Sequence, residues 1–126
     1  MQLKIGEKEY PIILGFDAIN YLDEVYYFEV NGIKLAQGVK IVMQYLMDEN
    51  PVALYHMIKA GTSTESQKPS NADIEAFISE LGEKNKLQKL FGEMIEELKK
   101  QPLTKHTAKA LVREAEKAEE AAATQD

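Results

Sequence analysis

The chain has 126 residues, 44% hydrophobic and 29% charged, with a formal net charge of −6 and no cysteine. Its length suits one hydrophobic core and its composition is not that of a disordered chain, while the missing cysteines exclude disulfides, thiolate metal sites and thiol nucleophiles. The acidic balance opposes nucleic-acid binding, which needs clustered Lys and Arg. No apolar run approaches the ~18 residues that span a bilayer, and the N-terminus lacks a basic-then-apolar leader, so neither membrane nor export is expected.

In chain order, Leu3 and Ile5, then Tyr10 and Ile12, alternate with polar neighbours around Gly6-Glu7-Lys8. This predicts a β-hairpin whose apolar face must be laid on helices or on another subunit, because two strands alone are marginal in water. Pro11 cannot donate to a ladder and places the second strand at an edge or a bulge. After Gly15, the spacing of Phe16, Ile19, Leu22 and Tyr26 predicts a helix to about Tyr27, with Asp17 favouring its N-terminus. Asn31-Gly32 reads as a turn, and Leu35, Val39, Val42, Met43 and Leu46 as a second helix reaching Asp48.

Asn50-Pro51 offers an N-cap followed by proline at the first helical position, opening a third helix over Val52–Ala60. The stretch from Gly61 to Pro69 is polar and aperiodic, hence an exposed loop. Ser70 with Asp73 resembles a capping box for a fourth helix through Ile74, Phe77, Ile78 and Leu81, with Gly82 as its C-terminal cap. Leu87, Leu90, Phe91, Met94, Ile95 and Leu98 mark a strongly amphipathic fifth helix ended by Pro102. The Ala/Glu/Lys-rich remainder favours helix but offers little to bury, so a frayed helical tail is expected. The fold class is therefore mainly α (α+β): an N-terminal hairpin, about five helices and this tail. The expected division is one domain over 1–101, with hairpin 1–14 and helices 15–101, and a tail over 102–126.

Nothing in the chain assembles a catalytic or metal constellation. His56 and His106 lack second ligands at metal spacing, and the doublets Asp23-Glu24, Glu96-Glu97 and Glu119-Glu120 point about 100° apart on a helix, as solvated faces do. Asp48-Glu49-Asn50 is accounted for by a helix end and an N-cap, and Gly61-Thr62-Ser63-Thr64 lacks the second Gly and the Lys of a phosphate loop. No enzyme activity, cofactor or metal is expected. A small enzyme or metal protein is one class that competes with a binding protein.

An apolar excess does stand out. Tyr21, Tyr27 and Phe28 lie off the Phe16-Ile19-Leu22 stripe, and Ile41, Tyr45 and Met47 lie off the main face of the second helix. Such residues are either sandwiched inside a multi-helix core or covered by a partner, and Tyr and Met are enriched at interfaces. Met43, Met47 and Met57 would suit an adaptable surface. Tyr27, Phe28, Ile41, Tyr45 and Met47 are the candidate partner-binding residues.

A resemblance gives the partner an identity. Leu3-Lys4-Ile5-Gly6-Glu7-Lys8-Glu9-Tyr10 followed by Gly15-Phe16 resembles the start of the tail assembly chaperones of long, non-contractile-tailed phages and prophages of Gram-positive bacteria. Asn50-Pro51-Val52-Ala53-Leu54, Ile58-Lys59-Ala60-Gly61-Thr62, Lys68-Pro69-Ser70 and Leu90-Phe91-Gly92-Glu93 continue it in order over roughly residues 1–100. The resemblance implies a protein of the bacterial host cytoplasm that binds the tape measure protein, keeps it soluble and assists tail tube assembly. It also implies self-association, and within that context the competing class is a structural virion component such as a head–tail joining or tube protein.

Overall fold

The structure, a computed structural model, describes residues 1–124. Strands β1 (Gln2–Ile5) and β2 (Lys8–Pro11) form an antiparallel hairpin, with Leu3 opposite Tyr10 and Gln2 opposite Pro11. Leu3, Ile5 and Tyr10 are buried on one face of it, as the alternation requires. The chain then enters α1 (Phe16–Val25), a second antiparallel hairpin of β3 (Tyr27–Val30) and β4 (Ile33–Ala36), α2 (Gly38–Met47), α3 (Pro51–Gly61), α4 (Asn71–Glu83), α5 (Leu87–Lys100) and α6 (Lys105–Ala123).

Helices α2 and α3 form the centre. They touch each other, α1 and α5, while α6 adds to α2 and α4 to α3. Val42, Met43, Leu46, Leu54, Met57 and Ile58 have no accessible surface, and each such side chain is worth about 1.5–3 kcal/mol by burial. The apolar excess of these two helices is thus largely consumed by having neighbours on several sides. Met43 and Met57 belong to the core and not to an adaptable surface.

Capping follows the sequence closely. The Asn50 side chain accepts from the Val52 amide at 3.0 Å with Pro51 next in line, and Ser70 Oγ accepts from the Asp73 amide at 3.0 Å. Each satisfies an amide that the first helical turn leaves unpartnered.

Three further expectations are corrected. The first helix stops at Val25, and the segment expected to finish it and begin the next instead forms β3 and β4; the aromatic and branched residues around Asn31-Gly32 favour a strand pair joined by a two-residue turn. Gly82 does not end α4, which continues to Glu83 and gives way to Asn85 in the left-handed region at φ 59°. The stretch from Gly61 to Pro69 is not wholly exposed: Gly61 is the last residue of α3, and Thr62 and Pro69 are buried. Thr62 Oγ1 is satisfied by the Ile58 carbonyl at 2.8 Å.

The tail is helical as expected, and its first two turns have a face to bury. Thr104 and Ala108 are fully buried, Thr104 Oγ1 donates to the Leu98 carbonyl at 2.7 Å, and Leu111 and Val112 pack against the core. Beyond Val112 the side chains of α6 are almost all exposed, and residues 125–126 of the expected tail lie outside the described residues.

Candidate interaction surface

The second hairpin is built to project. Asn31 (φ 52°) and Gly32 (φ 79°) both occupy the left-handed region, the backbone of a type I′ turn whose twist matches paired strands. The register sets Phe28 opposite Leu35 and Val30 opposite Ile33, which puts those four side chains on one face; Tyr27, Glu29, Lys34 and Ala36 share the other. All eight strand residues are exposed, and among the described residues the only element with which β3 or β4 makes extensive contact is its own partner strand. On the apolar face Phe28 is 59% and Ile33 63% accessible, and no side chain of the described body covers them.

Its base is anchored firmly. The Gln37 amide donates to the Tyr26 carbonyl at 3.0 Å, extending the ladder by one pair, and the Gly38 amide donates to Asp23 Oδ1 at 2.9 Å where α2 leaves α1. Tyr26 is buried beneath this junction, among Tyr45 (ring centroids 5.6 Å apart) and His56 (5.7 Å). Burial, then the neighbouring Tyr45 and Tyr21, push its phenol up to about 12. His56 shares a 2.9 Å hydrogen bond between Nδ1 and the Tyr21 hydroxyl, and burial followed by nearby Lys59 lowers its pKa. The imidazole is therefore neutral at pH 7 and has an evident structural task.

Of the candidate residues, Tyr27 and Phe28 lie on β3, on opposite faces of the hairpin. The Tyr27 ring carries Lys34 Nζ at 4.5 Å from its centroid. Tyr45 is on α2, 40% accessible and tilted against the Tyr26 ring near the hairpin base. Ile41 and Met47 are half-buried and pack against the core. The structure thus brings Tyr27 and Phe28 together with Val30, Ile33 and Leu35, which were not singled out. Their signal was present as period-two alternation, Phe28-x-Val30 and Ile33-x-Leu35, flanking Asn-Gly.

Among the described residues no cluster of three or more His, Asp and Glu could hold a metal ion, and no helix is long and apolar enough to cross a membrane. The surface that remains is an apolar one, suited to contact with another macromolecule. A family model described as "Phage tail assembly chaperone protein, TAC" matches residues 2–113. The chain belongs to that family. The match takes in both hairpins and all six helices, α6 as far as its first half. No curated protein and no solved structure matches this tail assembly chaperone.

Proposed function

We propose that this chaperone binds the tape measure protein in the host cytoplasm, keeps it soluble and assists assembly of the tail tube, and that it does so without catalysis. The observation supporting a binding role most directly is the uncovered apolar face of β3–β4. A client with apolar helical stripes aggregates in water, and a projecting ribbon with Phe28, Val30, Ile33 and Leu35 on one side can cover such a stripe. Tyr27 and Tyr45 extend this contact to the reverse face and the hairpin base; Ile41 and Met47 would support it from beneath. Residues 1–101 are proposed as the working unit with 102–126 as an appended tail, and copies of the chain are proposed to associate with one another through surfaces still to be mapped.

Coexpression with tape measure fragments tests the reading. The wild-type chain is expected to hold a fragment in the soluble fraction, and Phe28→Asp with Ile33→Asp to lose it while thermal unfolding stays nearly unchanged. Capture by the double variant at wild-type levels would remove the hairpin from the contact. Precipitation of every fragment despite the wild-type chain would remove the tape measure protein as client. The strand-poor body argues against the competing reading as a tube protein, for which a strand-dominated fold is expected.

A further inference from the structure

A second surface lies apart from the hairpin, between α3 and α4. The two helices are tied at one end, where Lys59 Nζ donates to Asn71 Oδ1 at 2.6 Å. Further along, they leave an open cleft of about 410 Å³, within the roughly 300–1,000 Å³ range of ligand-sized pockets. Val52, Tyr55 and His56 line one wall, and Glu75, Ile78 and Ser79 the other. The spacings i, i+3 and i+4 put each set on a single helical face. Val52 is 58% accessible although it faces this apolar lining.

The acidic group in the cleft's lining is Glu75. Helix α4 has no cationic side chain, and its Asp73 and Glu80 line a separate depression beside β1. The one cation of α3, Lys59, is engaged at the closed end with Asn71 and stands 5.8 Å from the Tyr55 ring centroid. Lys84 pairs with Glu80 at 2.7 Å, and neither residue lines the cleft. His56 adds no positive charge while its imidazole is neutral. Glu75, in the wall itself, has no ion-pair partner among the described residues.

We propose that the α3–α4 cleft is a docking groove for a short basic amphipathic helix, whose apolar residues sit on Val52, Tyr55 and Ile78 and whose Lys or Arg meets Glu75. The charge complementarity selects this occupant: an acidic or purely apolar helix would bury Glu75 without a counter-ion, a costly arrangement. The proposal rests on the chaperone reading only for which phage protein supplies such a helix, and it stands apart from the hairpin.

The test uses the full chain and two synthetic 14-residue helices that share one leucine face, with lysines on the polar face of one and glutamates on the other. Backbone amide shifts should move at Val52, Tyr55, His56, Glu75, Ile78 and Ser79 with the lysine peptide, and not with the glutamate peptide. Glu75→Lys and Val52→Asp, both at exposed positions, should each weaken that binding roughly tenfold or more, and added salt should weaken it in the wild type. Phe28→Asp with Ile33→Asp should leave it intact while abolishing client capture, which separates failure of this groove from failure of the hairpin. Equal binding of both peptides, shifts confined to β3–β4, or an unchanged affinity in Glu75→Lys would overturn the proposal. So would a groove already filled by a second copy, seen as shifts in these six residues on dilution alone.

Discussion

The chain contains two antiparallel hairpins of equal strand length, and they have opposite fates. In β1–β2, Leu3, Ile5 and Tyr10 are buried, and the segment that follows is sewn to the body. Ile13 donates to the Gly61 carbonyl at 2.9 Å, and the Gln101 side chain bridges the Ile12 carbonyl and the Leu14 amide at 2.9 and 2.8 Å. In β3–β4 the apolar face is left largely exposed, with Phe28, Val30, Ile33 and Leu35 between 46% and 63% accessible. A two-stranded ribbon gains its stability from what covers it, so the first hairpin is part of the fold, and the second, left exposed, is the surface proposed above for a partner. Apolar alternation alone does not separate a buried strand pair from an exposed one; the neighbours do.

The comparison can be broken most easily at its largest contrast. Ile5→Ala removes buried methyl groups from the first hairpin and should cost about 2–5 kcal/mol in urea unfolding. Ile33→Ala on the second should stay within about 0.5 kcal/mol. Comparable losses would mean that β3–β4 is covered in solution. Next comes Gly61, where an added Cβ would lie 2.6 Å from Ile12 Cγ2. Gly61→Ala should therefore destabilise by about 1–3 kcal/mol through overpacking behind the first hairpin.

At the second hairpin, Gly32→Ala meets open space but must hold φ 79°. It should cost about 1–2 kcal/mol, and that cost should appear as faster amide exchange in β3–β4 alone, with the global unfolding midpoint unmoved. A drop in the midpoint would show that the ribbon is coupled to the core.

The smallest effect sharpens the picture of the hairpin's base. The folded-state pKa of His56 is depressed below its ordinary value of 6.5. Its contribution to stability is accordingly complete above that value and is lost as the pH falls from there through the folded-state pKa, because the unfolded chain takes up the proton first. Melting temperature should decline modestly over that window in the wild type, and less in His56→Phe. Equal slopes would remove His56 as the cause.

Local signals settled much of this protein. The caps at Asn50-Pro51 and Ser70, the amphipathic run from Leu87 to Leu98, the alternation of Leu3, Ile5 and Tyr10, and the lack of any thiol are each contained in a few adjacent residues. The physics they invoke acts over one or two turns. Phe28, Val30, Ile33 and Leu35 also announced a strand pair, but helical spacing through Leu35, Val39 and Val42 competed with it, and a ten-residue window cannot arbitrate between the two periods.

Only the tertiary structure decided which apolar faces would be covered. Ile41 and Met47 look as available as Phe28 in the sequence, yet α2 lies among four other helices and draws both against the core. Burial depends on what other segments arrive at a surface, and that is a property of the whole chain's packing. The same packing gave the first half of α6 a face to bury through Thr104 and Ala108 and left β3–β4 with none.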